Sequence, residues 1–226
     1  MEKIPTAKIV EFRRKKSDST KMTLLKNLKK TKEKKDNSNG GDYWTTSISS
    51  ISQYFKDENQ DMILNKINDL LGRHDLTKSK NSKIMYQKNI EILHNFEDFD
   101  FESFKPKFEM KYISKPVEKS IIRILDLPIQ VRPQHVYTYE ENGIDKIGAT
   151  WFVAKKDGFE TAEIGIFTEA LFEYLDINYS KKYEIDPTYC IALDVTNLID
   201  VRQNQILKKE VPSLLNSSLE AMKKII

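Results

Sequence analysis

A chain of 226 residues with 39% hydrophobic and 31% charged side chains has the make-up of a folded protein with one sizeable core and a charged exterior. Its 7 glycines and 7 prolines exclude a turn-dense β-sandwich, and the single cysteine, Cys190, excludes an intrachain disulfide framework. The formal charge is only +3, no apolar run reaches the ~18 residues that span a bilayer, and MEKIPTAKIVEFRRKK lacks the order of a signal peptide, so a cytoplasmic protein with no membrane partner is expected.

In chain order, residues 7–12 (AKIVEF) read as a short strand. A strongly basic run follows, holding Arg13, Arg14, Lys15, Lys16, Lys26, Lys29 and Lys30, with Met22, Leu25 and Leu28 at helical spacing inside it. Residues 36–42 (DNSNGGD) form a polar connector and the natural boundary. Trp44, Ile48, Ile51 and Phe55 then fall on one face of a helix. A second helix is expected over 60–71, with Gly72 as its left-handed cap, and a third over 82–96. Between them RHDLTKSKNSK reads as a basic loop. The acidic and aromatic passage 96–104 reads as extended.

Residues 106–114 read as a strand, and the apolar core of 118–126 fits either a short helix or a strand. Residues 131–139 are extended, with Pro133 marking a beginning or an edge. Asn142-Gly143 supplies a tight hairpin turn, and 147–154 (IGATWFVA) has the continuous apolar character of a strand buried on both faces. A helix from Thr161 with Ile164, Phe167, Leu171 and Tyr174 on one side leads, through the linker SKKYEIDP, to a strand at 189–195. That succession points to a crossover joining two strands of one sheet. Pro212 opens a terminal helix bearing Leu215, Leu219, Met222 and Ile226. The fold class is therefore α+β or α/β, a small mixed sheet with packed helices preceded by a helical bundle. Its units are a basic, partly flexible segment 1–41, a helical subdomain 42–104 and a core domain 105–226.

Chemistry is sparse. His74, His94 and His135 lack ligand spacing, so no zinc site is expected, and Cys190 reads as a core residue. There is no nucleophile elbow and no phosphate-binding loop. The enzymatic candidate is a Mg²⁺-dependent nuclease of the restriction-endonuclease kind, with Glu109 and Lys111 in Glu-x-Lys spacing on one strand face and Asp98 or Asp100 upstream as a second carboxylate. Mg²⁺ would be the cofactor of that alternative alone; otherwise none is expected. Asp194 interrupts an apolar strand, where a charge is costly unless paired, and the plainer reading is that it ends the strand at the surface or caps the next turn. Lys155 and Lys156, just after the buried strand, suit acids or a phosphate. The basic run, joined by Arg73, Lys78, Lys80, Lys83 and Lys88, suits a polyanion such as DNA or RNA.

The segments GGDYWTTSISSI, QKNIEIL, HVYTYEENG, IGATWFVAKKDGF and YCIALDV together resemble a bacterial, Bacteroidetes-type protein family associated with mobile or anti-phage defence genes. The resemblance spans residues 40–195. It implies a bacterial cytoplasmic protein with a defence role, and it transfers no activity and no site residue. The leading expectation is a non-catalytic accessory factor that binds nucleic acid or a protein partner through its basic half. The nuclease is one rival, and a structural homo-oligomer using the 96–104 passage is another. The central strands and their helix read as the packing core, with function at their margins: Lys155, Lys156, Asp194 and the basic half.

Overall fold

A computed structural model describes residues 1–29, 43–115 and 117–225. The first half comprises β1 (Ile4–Pro5), α1 (Thr6–Arg14), α2 (Asp18–Lys29), α3 (Thr45–Asp57), α4 (Asp61–Leu76) and α5 (Lys80–His94). The second comprises β2 (Lys111–Tyr112), β3 (Ile121–Ile124), β4 (Leu127–Gln130), β5 (His135–Glu141), β6 (Ile144–Val153), α6 (Thr161–Tyr179), β7 (Glu184–Asp194), β8 (Ile199–Arg202), α7 (Gln203–Leu207) and α8 (Leu215–Lys223). This is an α+β fold.

The central sheet has the order β2-β5-β6-β7-β8, and a small second sheet has the order β1-β4-β3. Strands β5 and β6 form a hairpin whose turn residues, Asn142 at φ 54° and Gly143 at φ 78°, both take the left-handed conformation such a turn requires. Helix α6 then crosses over and returns the chain parallel to β6 as β7, while β8 closes the edge antiparallel. Period-two alternation sends successive side chains of these strands to opposite faces. Val136, Ala149, Trp151, Cys190 and Ala192 pack with Ile164, Phe167 and Leu171 of α6. Tyr137, Phe152, Ile191 and Leu193 face the other way, onto Ile51 and Phe55 of α3 and the rings of Phe96, Phe101 and Phe104. The sheet thus lies between two helical layers, as the unbroken apolar run of β6 predicts.

Several expectations need correction. Residues 7–12 are helical, because Ile9, Val10 and Phe12 bury a face of α1 in the core that also holds residues of α6 and α8. The first 29 residues therefore do not stand outside the core; Leu24 and Leu25 of α2 also join it. Met22 is exposed instead. Helix α4 runs through Gly72 to Leu76, leaving only 77–79 as the connector, with the Ser79 side chain accepting the Ser82 N–H at 3.3 Å as the cap of α5. The expected strand 106–114 shortens to Lys111–Tyr112, and the linker before β7 is itself strand from Glu184. Passage 96–104 is bent rather than extended, with a 3-10 turn at Glu102–Phe104 that buries Phe104. The connector 36–42, Lys30 and Ile226 lie outside the described residues.

Candidate functional site

The carboxyl ends of β6 and β7, the one parallel pair in the central sheet, define an edge where the chain leaves each strand in a loop. Ligands of open α/β sheets bind outside strand carboxyl ends. The first loop, 155–158, is closed by the Gly158 N–H donating to Lys155 O at 3.0 Å. Asp194 at the end of β7 is fully buried and holds the two loops together. One carboxylate oxygen accepts the Phe159 N–H at 2.8 Å, the other accepts the Thr196 N–H at 3.0 Å, and the Thr196 hydroxyl donates to Lys155 O at 3.0 Å. Burial pushes the Asp194 carboxyl up from its ordinary pKa, and these backbone donors oppose the shift. Asp194 is therefore a buried loop tie. Gly158 sits at φ 66° directly over it, so a Cβ there would lie 1.9 Å from Asn197 Nδ2.

An open groove of about 640 Å³ lies on the α6 side of this edge and is lined by Arg13, Arg14, Asp157, Glu160, Glu163 and Asn197 among others. Its floor is already satisfied. Arg14 forks onto both Glu163 oxygens, and Glu163 also accepts the Glu160 N–H at 2.9 Å in the capping box of α6. Burial alone would raise the Glu163 pKa, but the Arg14 guanidinium, the Glu160 N–H and Arg13 together hold it below its ordinary value. Arg14 is thus a structural cation. Arg13, exposed, donates to Ser218 Oγ at 3.1 Å. The Phe159 ring carries Arg14 and Lys155 each 5.9 Å from its centre, which joins the end of α1 to the 155–158 loop. Lys155 is half-buried and Lys156 exposed.

The edge continues onto the helical layer. Lys88 of α5 is ion-paired to Glu91 at 2.6 Å, which raises its pKa first; Tyr43 and Asp157 add to the effect, placing all of them in one neighbourhood. Asn89 Nδ2 donates to Tyr43 O at 2.9 Å, and Asn95 Nδ2 to Thr196 O at 3.4 Å. Tyr43 is 36% exposed, with its ring 4.5 Å from Trp44 in an edge-to-face pair. Immediately beyond, a second groove of about 420 Å³ is lined by Thr45, Ser49 and Ser52 of α3 and by Lys115 and Gln134. Gln134 Oε1 accepts the Phe152 N–H at 2.8 Å, so this groove is tied to the same end of β6.

Beneath it, His135 Nε2 lies 2.8 Å from Ser52 Oγ and 2.9 Å from the Ser52 carbonyl oxygen. A carbonyl oxygen only accepts, so this nitrogen carries the proton. The ring therefore donates to Ser52 and has no lone pair there to act as its base, and the hydroxyl proton is left to point elsewhere. Burial lowers the His135 pKa to about 4, with Lys115, Lys56 and Lys105 adding to the effect and the Ser52 carbonyl opposing it. The imidazole is neutral at physiological pH.

The remaining residues singled out from the sequence do not share this edge. Asp98 is exposed and accepts from Gln60 at 3.5 Å, while Glu109 is exposed just before the edge strand β2 and Lys111 is exposed within it. No hydrogen bond or ion pair joins these three, and among the described residues no group of three or more His, Cys, Asp or Glu side chains is arranged to hold a metal ion. A further groove, about 750 Å³, is lined by Tyr54, Glu58, Asp100, Phe101, Lys105 and Tyr189 among others, and not by Asp98, Glu109 or Lys111. Lys15 approaches Glu11 at 3.6 Å, Lys16 and Lys26 are exposed, Lys29 lies in the last turn of α2, and Arg73 pairs with Asp69 at 3.0 Å. Cys190 is fully buried and burial pushes its thiol pKa up. Sequence reasoning missed Tyr43, Ser52, Lys115 and Gln134 as site residues. Their one visible signal was a hydroxyl-rich run, TTSISSIS, on the first helix of the helical subdomain.

Comparison with protein-family models, with curated proteins and with solved structures finds no match. Among the described residues no helix is long and apolar enough to cross a membrane.

Proposed function

We propose that this protein is a non-catalytic binding protein that takes a nucleic-acid strand along the carboxyl-end edge of the β6–β7 pair. The observation that supports the reading is the meeting on that edge of Arg13, the Tyr43–Trp44 ring pair, Lys88 and Lys155–Lys156, from four separate stretches of sequence. Cations track a phosphate backbone through counterion release, and exposed rings give bases a stacking surface without sequence preference. The combination suits a single strand better than a duplex, whose bases are already stacked. The accessory role in defence rests on the family resemblance alone.

Fluorescence anisotropy with labelled single-stranded and duplex oligonucleotides tests this. Four phosphate contacts correspond to a loss of roughly 50-fold in single-strand affinity between about 50 and 200 mM salt. Lys155→Glu with Lys156→Glu should weaken binding and flatten that salt slope, and Tyr43→Ala should weaken it about tenfold at fixed salt through loss of stacking. Absence of binding to any oligonucleotide at low salt would sink the reading.

A further inference from the structure

We propose that the groove between α3 and the start of β5 holds the terminal phosphate monoester of the bound strand. This rests on the strand-binding reading and adds an end preference to it. The wall of the groove is built of donors. The Lys115 ammonium donates to Pro133 O at 2.9 Å and also to Gln134 O, which fixes its position and leaves one N–H for a ligand. The Gln134 amide oxygen is taken by the Phe152 N–H, so its NH₂ end is the part left over. Ser52 Oγ–H is released by the donor state of His135, and the Ser49 hydroxyl makes no hydrogen bond among the described residues.

No carboxylate lines the groove among the described residues, and none pairs with Lys115. Lys115 is partly withdrawn from water, which lowers its pKa, and desolvation is the one cause acting on it. The residue as a whole is nevertheless exposed. A cation held this way, facing hydroxyl and amide donors, is complementary to an anion. A phosphate monoester carries a charge of about −1.5 to −2 and three acceptor oxygens. An internal phosphodiester, with one charge and two free oxygens, leaves part of this donor set unused. Ile48 and Pro133 supply the apolar part of the wall for a sugar or base, and about 420 Å³ falls within the ~300–1,000 Å³ of small-ligand pockets. The groove adjoins Tyr43–Trp44, so a strand whose bases stack there can end in it.

The test compares single strands bearing a 5′-phosphate, a 3′-phosphate or hydroxyls at both ends, by anisotropy at one salt concentration. One phosphorylated end should bind about tenfold more tightly than the hydroxyl-ended strand, in line with one or two charge-assisted hydrogen bonds. Lys115→Ala and, separately, Ser49→Ala should bring that ratio towards one, with circular dichroism confirming that each variant is folded. Equal affinity for all three strands overturns the inference and leaves strand binding standing. No affinity for any strand overturns both. Lys115-dependent binding of a phosphoserine peptide in preference to every oligonucleotide would assign the groove to a protein partner and overturn the inference.

Discussion

At the scale of single residues, His135 ties the sheet to the helical layer as a neutral donor. It stacks on Phe55 with ring centres 5.0 Å apart and is only 8% exposed. Its pKa falls to about 4 on folding, from an ordinary value of about 6.5. Between those values the unfolded chain binds a proton that the folded chain refuses, so stability rises with pH through this window and is lost on acidification. The contribution is fully present above about pH 6.5 and amounts to at most ~3 kcal/mol. Urea denaturation of the wild type and of His135→Gln at pH 7 and pH 4 checks this. The difference in stability between the two proteins should shrink by that order on acidification, whereas parallel pH profiles would show that the imidazole is not buried as a neutral donor. The same donor state explains why Ser52 and His135, though 2.8 Å apart, do not make a nucleophile and its base.

At the scale of elements, the clearest case is α4. Gly72 ahead of a basic stretch has the pattern of a helix C-cap, but the helix continues through it to Leu76 and ends at Thr77 in an extended conformation. An interior glycine costs helix stability relative to alanine through backbone entropy. A Cβ at Gly72 would meet nothing within 4 Å. Gly72→Ala should therefore stabilise the protein by about 0.5–1 kcal/mol, seen as a raised urea midpoint. Destabilisation would mean that Gly72 is a left-handed cap after all. Strand β1 and helix α1 show the converse, since local preference for strand in AKIVEF yields to burial of Ile9, Val10 and Phe12 on one helical side.

At the scale of the whole molecule, the sheet is the shared floor of two cores and neither helical layer can leave without exposing one of its faces. Phe55 illustrates the coupling: it lies 5.8 Å from Phe152 and 5.2 Å from Phe101, joining α3, the sheet and the 96–104 passage. The two tryptophans report on opposite layers, Trp44 beside α3 and Trp151 against Phe167 of α6 at 5.3 Å. Single-tryptophan variants made by Trp44→Phe and Trp151→Phe should unfold in urea with coincident fluorescence transitions. Phe55→Ala should cost about 3–5 kcal/mol and move both transitions together. Separate midpoints would show that the helical layer and the α6 side unfold independently. This coupling also shapes the site, because the strand-end edge is held between both layers, with Arg13 reaching it from one and Lys88 from the other.

What the sequence by itself determined is whatever depends on neighbours along the chain. The Asn142-Gly143 hairpin, the two-sided burial of β6, the crossover helix α6 and the stripe Ile48, Ile51 and Phe55 follow from turn chemistry and periodicity, which act over a few residues. Strand β8 and helix α7 escaped because four- and five-residue elements carry too few periods to register. The tertiary structure alone decided that α1 enters the core and that no hydrogen bond or ion pair joins Asp98, Glu109 and Lys111. It alone brought Lys115 and Gln134 to the end of β6 beside Ser52, and set Arg13, Lys88 and Lys155–Lys156 along one edge. Periodicity states which side of an element is buried but not which distant element covers it, and the candidate site is made of such distant meetings.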